Sequence, residues 1–278
     1  MKMPMDWLLA AQNDDGSLPD TYPRGKTYLE MTGYCIPTLL DHNRSFEALA
    51  CGQYLLEHQN EDGSFNGLDG IPRAFDTGAC LHGLKRLAVE AGFLDYEEAF
   101  ERSLKWLRTQ VMPGGKIRIR PDTTDSMKYT ALTAAFAGFP EGVAAWRNVP
   151  LKRERAHYEL YYLEACSRMG YDIRPDLDKM VKILIERKDG LLPFEVGSLT
   201  DAKQPDLCAT LQLGCLLVEV GDEPMARFIR SAVTKFITKD GGIPVIPGQE
   251  TKTWAVKYWL DLETRLNNFP MSLVSLWA

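Results

Sequence analysis

A repeated segment near the amino terminus constrains the fold more than any other feature of this chain. Residues 7–18 read WLLAAQNDDGSL and residues 54–65 read YLLEHQNEDGSF, so seven of the twelve positions are identical. In both copies an apolar helical segment ends in an Asp-Gly turn, where the chain needs a residue that tolerates positive φ. One such unit cannot bury its apolar face alone, so the repeat predicts stacked helical hairpins.

Similar turns recur along the chain, at Asp15-Gly16, Asp62-Gly63, Gly114-Gly115, Asp189-Gly190 and Gly241-Gly242. The periodicity predicts an amphipathic helix before each turn, at 5–12, 45–59, 96–110, 174–187 and 224–238. It predicts a more apolar helix after each turn, at 27–41, 76–91, 124–137, 205–220 and 252–266. A sixth pair of helices without this turn is predicted between 138 and 171. The only alternating run is KIRIRP at 116–121. We therefore expect an all-α protein, an (α/α)6 toroid with the apolar helices inside, formed by residues 1–278 as a single domain.

Composition limits where the protein works and what it binds. The net charge of −6 argues against a general nucleic-acid binder, which would carry a basic excess. None of the six cysteines forms a Cys-x-x-Cys pair, which indicates buried thiols in a reducing compartment. The first repeat begins almost at the first residue, so we expect no cleavable signal, and no apolar run is long enough to span a membrane. These features predict a cytoplasmic protein.

The motifs QNDDGSL and QNEDGSF, each after an aromatic-Leu-Leu helix, resemble the repeat of the terpenoid cyclase and protein prenyltransferase superfamily. FDTGACLHGL at 75–84 and TWAVKYWLDLE at 253–263 are similar to toroid proteins that accompany bacterial polysaccharide genes. The same ring resembles sugar-cleaving enzymes such as unsaturated glucuronyl hydrolases. These resemblances imply a toroid fold with terpenoid or sugar chemistry, but fold alone does not give function.

Both terpenoid chemistries that the resemblance implies lack an essential group here. A class II cyclase uses a DxDD motif, and in PDTTDSM the proton donor's position holds Thr124 between Asp122 and Asp125. A prenyltransferase holds zinc with Asp, Cys and His. Asp206 and Cys208 fit that pattern, but ETKTWAV stands where the histidine is needed. No other residues have metal-ligand spacing, so we expect neither a metal nor a cofactor.

Polar or aromatic residues are paired with a tyrosine at the start of four predicted inner helices. The pairs, four residues apart and therefore on one helical face, are Glu30/Tyr34, Asp125/Tyr129, His157/Tyr161 and Trp254/Tyr258. Tyr and Trp can stack on sugar rings and also donate hydrogen bonds, so these residues predict a carbohydrate-binding surface. Ordinary packing between helices is the alternative role of the tyrosines.

A basic cluster is predicted beside the same helix ends. It comprises Lys116, Arg118, Arg120, Lys152, Arg153 and Arg155. Arginine binds carboxylates and phosphates through two parallel hydrogen bonds, so the cluster predicts an anionic ligand. The alternative is a solvated rim whose charges pair with Asp122 and Glu154.

The candidate catalytic residues are His157, Glu159, Asp76, Glu30 and Asp206. Paired carboxyl groups can hydrolyse a glycosidic bond, whereas His157 or a tyrosine could act as the base of a β-elimination. Capping of helix N-termini is the alternative role for Asp76, Asp125 and Asp206.

We expect a carbohydrate-active enzyme that cleaves or modifies an anionic, uronic-acid-type oligosaccharide. Two alternatives stay open: a terpenoid enzyme that acts on a prenyl diphosphate with an altered acid site, and a non-catalytic toroid that binds a glycan or a protein. The apolar tail NNFPMSLVSLWA at 267–278 is a candidate for sealing the ring or for forming a homo-oligomer.

Overall fold

A computed structural model describes residues 2–147, 149, 154–196 and 204–267. These residues form twelve α-helices and two short strands. The helices are α1 (Pro4–Ala11), α2 (Leu29–Asp41), α3 (Ser45–His58), α4 (Ala74–Ala91), α5 (Leu94–Thr109), α6 (Thr130–Phe136), α7 (Pro140–Ala144), α8 (Ala156–Arg168), α9 (Arg174–Glu186), α10 (Leu207–Glu219), α11 (Glu223–Thr234) and α12 (Thr253–Leu266). The strands β1 (Glu154–Arg155) and β2 (Glu195–Val196) pair antiparallel.

Each of the twelve predicted helices is present, but the prediction for α6 was wrong at its start. The sequence predicted a helix from 124, whereas α6 begins at Thr130. The preceding loop pairs with the KIRIRP segment instead: the Ile119 amide donates to the Asp125 carbonyl at 2.9 Å, and the Ser126 hydroxyl donates to the Ile117 carbonyl at 2.6 Å. Asp125 therefore lies exposed in a loop, not on a helical face with Tyr129.

Contacts group the chain into two compact units. One contains Gln12–Asp20 and Gly25–Val149, and thus α2 to α7. In it α4 packs against α2, α5 and α6, and α2 packs against α3. The apolar faces of α2 and α4 are almost fully buried, as the composition of the predicted inner helices implied.

The other unit contains α1, Thr21–Arg24 and α8 to α12. Here α10 packs against α8, α11 and α12, and α1 packs against α12. Trp7 and Leu8 of α1 are buried, and the Lys2 amide donates to the Lys239 carbonyl at 3.1 Å. The first helix of the chain therefore packs with the last hairpin.

The glycines of the repeated turns allow neighbouring hairpins to approach each other closely. Gly16 and Gly63 both have positive φ, 87° and 91°. A Cβ on Gly16 would lie 2.3 Å from the Ala50 carbonyl oxygen, and one on Gly63 would lie 2.3 Å from the Arg102 carbonyl oxygen. Glycine is thus required both by the backbone conformation and by the next helix.

None of the helices in the described ranges is long and apolar enough to cross a membrane. Residues 268–278, which include most of the apolar tail, lie outside the described residues, as do Lys152 and Arg153. Their predicted roles in oligomerisation and anion binding stay predictions, as does the single domain.

Candidate active site

Two carboxyl groups come together where α2 and α4 begin. Glu30 lies in the first turn of α2 and Asp76 in the first turn of α4, and these helices pack side by side. Their side chains are buried, with 9% and 2% of the residue surface exposed. The hydroxyl group of Tyr28, just before α2, hydrogen-bonds with both carboxyl groups. Packing thus joins two acids that the sequence had named separately.

The environment gives the two acids different proton affinities. Burial raises the pKa of Glu30 to about 8, and the nearby charge of Asp76 adds to this effect. Burial also raises the pKa of Asp76, to about 6, against the hydrogen bond from Tyr28 and the charge of Arg73. Burial and the repulsion between the two carboxylates therefore favour a pair that keeps one proton near pH 7, and the pKa of Glu30 is raised further than that of Asp76. Burial raises the pKa of Tyr28 as well, so its hydroxyl group keeps its proton.

Asp76 does not cap its helix. The residue before α4 is Arg73, which makes no side-chain cap, and Asp76 lies inside the first turn. Its Oδ1 atom is buried and accepts no hydrogen bond from the described residues. A buried carboxylate oxygen without a donor is costly, so this atom has an unmet requirement for a hydrogen-bond donor. The capping alternative was wrong for Asp76.

Asp206, by contrast, caps a helix, which is the alternative role predicted for it. It is the N-cap of α10, and its Oδ1 atom accepts from the Ala209 amide at 2.8 Å. Burial raises its pKa to about 7, against the hydrogen bonds that the backbone donates to it. Asp206 therefore has a structural role that Asp76 lacks.

The KIRIRP loop runs beside the acidic pair. The Ala74 amide, at the start of α4, donates to the Ile119 carbonyl at 3.0 Å. Nearby, the rings of Phe75 and Tyr129 meet edge to face, with centroids 5.1 Å apart. The backbone of the loop is thus hydrogen-bonded to the residue two positions before Asp76 in the sequence.

The basic side chains of this loop have different partners. Lys116 lies over the Trp146 ring at 4.3 Å, and Arg120 pairs with Asp122 at 3.2 Å, as the solvated-rim alternative predicted for that arginine. Arg118 donates from Nη1 to the Pro121 carbonyl at 3.3 Å, while its Nε atom is buried without a partner among the described residues. Arg118 therefore has hydrogen-bonding capacity left over at a buried nitrogen.

Arg73 is a further basic group beside the acids, and the sequence analysis did not single it out. It pairs with Asp69 at 2.6 Å, and its positive charge lowers the proton affinity of Glu30 and of Asp76. Tyr34, one turn after Glu30, is buried against Phe136 with ring centroids 6.1 Å apart, which is a packing contact.

A second polar cluster surrounds His157 in the other unit. His157 Nδ1 lies 2.9 Å from Gln212 Oε1 on α10, and Gln212 Nε2 donates to Glu164 Oε2 at 3.3 Å. The Tyr258 hydroxyl group on α12 donates to the same Glu164 oxygen at 3.5 Å. The Tyr161 ring lies 4.1 Å from the imidazole, measured between centroids. Packing of α8, α10 and α12 builds this cluster.

Charges around Glu164 and desolvation of His157 fix the protonation states in this cluster. Burial lowers the pKa of His157 to about 3, so the imidazole is neutral at neutral pH. Burial acts to raise the pKa of Glu164, but the charges of Arg168, Lys257 and Arg265 outweigh it and lower the pKa below its usual value. Glu164 is therefore an anion that only accepts hydrogen bonds.

The remaining predicted residues lie apart from these contacts. Glu159 is buried on another face of α8, where its charge acts on Tyr162 and on Lys179 of α9. Trp254 is half-buried under Lys252, whose Nζ lies 5.6 Å from the ring centroid.

Sequence reasoning missed four residues of the two clusters: Tyr28, Arg73, Glu164 and Gln212. Glu164 had a detectable signal, because it lies seven residues after His157 and thus on the same face of α8. Gln212 and Arg73 had none, since only packing between helices brings them to their partners. Among the described residues no three His, Cys, Asp or Glu side chains are grouped to hold a metal ion.

Comparison with known proteins shows the fold. No protein-family model matches the chain, and no curated protein matches it. Among solved structures, an alpha-amylase from Clostridium perfringens aligns over 95% of this chain and 96% of its own, with a TM-score of 0.75 and 10% identity. A type II terpene cyclase from Scytonema, bound to geranylgeranyl dihydroxybenzoate, aligns over 96% of each chain with a TM-score of 0.63 and 14% identity.

A glycosidase bound to glucose also aligns, over 95% of each chain, with a TM-score of 0.59 and 12% identity. Together with the helical content, these likenesses show that the protein has an all-α fold of the α/α-toroid class. At this level of identity they show the fold alone.

Proposed function

We propose that the protein is a carbohydrate-active enzyme that hydrolyses a glycosidic bond with Glu30 and Asp76. The observation that carries this proposal is that two buried carboxyl groups meet at one tyrosine hydroxyl group, where desolvation disfavours ionisation of both. Glycoside hydrolysis needs one carboxyl group that donates a proton and one that accepts a proton or attacks. The solved toroid structures described as an amylase and a glycosidase support the same chemistry.

Each group has a defined role in the proposed reaction. Glu30 donates its proton to the oxygen of the leaving sugar, and Asp76 accepts a proton from the attacking water or attacks the anomeric carbon itself. When Asp76 acts as the base, it holds a proton after hydrolysis and Glu30 lacks one; when Asp76 attacks the carbon, Glu30 takes a proton from the water that then breaks the bond between Asp76 and the sugar, and both groups return to their starting states. In the first case the Tyr28 hydroxyl group, which touches both, can pass a proton to Glu30 while it accepts one from Asp76, and the pair is reset.

The same observations favour hydrolysis over β-elimination. Elimination needs a base that is free of its proton near neutral pH. The raised pKa of Tyr28 keeps that hydroxyl group protonated, and the low pKa of His157 makes the imidazole a weak base. The carboxylate of Asp76 is the better base, and beside it Glu30 holds a proton that a leaving sugar can take.

The basic loop supports a substrate with carboxylate groups. Arg118 has hydrogen-bonding capacity left over, and its loop is hydrogen-bonded to the first residue of α4, near Asp76. A carboxylate group on the substrate would give Arg118 an anionic partner. We therefore propose a uronic-acid-type oligosaccharide as the substrate class.

The alternative functions find less support. A cyclase-like acid at Asp122 or Asp125 would have to face a sheltered lumen, yet Asp125 is exposed and Asp122 pairs with Arg120 at the surface. A non-catalytic toroid predicts acids that only cap helices, and Asp76 does not cap.

The test is to screen uronic-acid oligosaccharides, their neutral counterparts and prenyl diphosphates by thermal shift, and then to measure hydrolysis of any ligand found. We expect a shift with uronates and a loss of about 10²–10⁴-fold in kcat for Glu30→Gln and for Asp76→Asn. Glu61→Gln, which changes an exposed carboxylate, is the matched control. A shift with prenyl diphosphates alone, or full activity of both variants, would overturn the proposal.

A further inference from the structure

The hydrogen bonds around His157 fix which ring nitrogen carries the proton. Glu164 is an anion, held by Arg168 at 3.0 Å, so it accepts from the Gln212 side-chain NH2 group at 3.3 Å. This contact turns the amide oxygen of Gln212 toward His157. Because that oxygen can only accept, the atom 2.9 Å away, Nδ1, must be the nitrogen that bears hydrogen.

The other nitrogen of the imidazole is then an unprotonated acceptor. His157 Nε2 makes no hydrogen bond with any part of the chain that the structure describes, and the side chain is partly exposed. Aromatic rings border the imidazole: Tyr161 at 4.1 Å and Tyr258 at 6.0 Å in an edge-to-face arrangement. A fixed acceptor between aromatic rings suits a ligand that has hydroxyl donors on a partly apolar frame.

We propose that Glu164 and Gln212 are positioning residues that hold His157 as the Nδ1–H tautomer, so that Nε2 accepts a hydrogen bond from a hydroxyl group of a sugar ligand. The choice of a sugar as ligand rests on the proposed function, whereas the tautomer rests only on hydrogen bonds around His157, apart from Glu30 and Asp76. The tautomer is a property of the free protein, so its measurement does not depend on hydrolysis.

The experiment is nitrogen-15 NMR of the full-length protein labelled at histidine, with His157→Asn to assign the signals. In the unliganded protein we expect Nδ1 in the protonated range and Nε2 in the unprotonated range. Addition of glucose, the probe, should move the Nε2 signal toward the hydrogen-bonded range. An Nε2–H tautomer, or an Nε2 signal that glucose at high millimolar concentration leaves unchanged, would overturn the proposal.

Two variants test whether the tautomer is set by the hydrogen bonds that run from Glu164 through Gln212 to His157, or by packing around the imidazole. Gln212→Met keeps the volume but removes the acceptor, and we expect a mixture of both tautomers and at least a tenfold weaker effect of glucose. Cys208→Ala is the matched control, because the Cys208 Sγ atom lies 3.8 Å from the same Nδ1 atom and is a weak partner. If Cys208→Ala mixes the tautomers while Gln212→Met does not, the thiol sets the tautomer and the proposal fails. Both variants need unchanged melting curves or amide spectra that show an intact fold.

Discussion

At the scale of single residues, the acidic pair shows how one side chain changes its chemistry with its surroundings. Glu30 would be ionised on a surface at pH 7, but burial beside Asp76 keeps it protonated. Ionisation of such a buried carboxyl group at high pH destabilises the folded state. Function and stability are therefore opposed at this position.

The first prediction concerns stability and pH. The pKa of Glu30 is about 8 in the folded protein and near its ordinary value of 4.5 when unfolded. Between these values the folded state binds more protons, so stability falls as pH rises through this range. Glu30→Gln removes the ionisation, and we expect the variant to melt several degrees above the wild type at pH 9 but close to it at pH 5. Thermal melts across this range check it, and a constant difference at all pH values would contradict it.

The second prediction concerns the rate of sugar hydrolysis. Activity needs a protonated Glu30 and an ionised Asp76, so kcat/KM should fall below about pH 6 and above about pH 8. These two limits belong to the coupled pair rather than to one residue each. A profile measured from pH 4 to 10 checks it. A rate that keeps rising above pH 9 would show that neither acid donates the proton.

At the scale of elements, the repeat acts through the glycine in each turn. The copies also share their hydrogen bonds: Asp15 Oδ1 accepts from the Ser17 amide, and Asp62 Oδ1 accepts from the Ser64 amide, both at 2.9 Å. Gln12 and Gln59 each donate to a backbone carbonyl of the next outer helix, Glu47 at 2.9 Å and Ala99 at 2.8 Å. The residues that the two copies share thus form contacts between hairpins as well as the turn itself.

The third prediction follows from this geometry. Gly63→Ala places a Cβ 2.3 Å from the Arg102 carbonyl oxygen at a positive φ, so we expect it to cost about 3 kcal/mol or more. Gly70→Ala is the matched control, with φ 75° and no atom within 4 Å of the new Cβ, and it should cost only about 1 kcal/mol. Chemical denaturation measures both costs. Equal costs would show that the approach of α5 does not restrict this position.

At the scale of the whole molecule, the sequence predicts a single domain. The fourth prediction is that calorimetry gives one cooperative transition, with equal calorimetric and van't Hoff enthalpies. Trp7 lies in α1 and is 1% exposed, so Trp7→Ala leaves a cavity in the core. We expect this variant to lower the melting temperature of the single transition by about 10 °C. Met3→Ala, at a side chain that is 63% exposed, should leave it in place. Two separate transitions, with only one of them shifted by Trp7→Ala, would contradict the single domain.

The sequence alone determined the helical hairpins, because turn chemistry and apolar periodicity act over a few residues. It therefore predicted eleven helices closely and named Glu30, Asp76 and His157 as candidates. It placed Asp125 on a helix wrongly, because the backbone pairing of Ile119 with the 125–126 loop is invisible to helical periodicity.

Only the tertiary structure decided which polar groups meet. Glu30 reaches Asp76 because α2 packs on α4, and Gln212 links His157 to Glu164 because α10 packs on α8. Local sequence cannot carry this information, since each of these contacts joins residues that are far apart along the chain. The burial that separates the proton affinities of Glu30 and Asp76 is created in the same step, because desolvation exists only once the helices have closed over the side chains.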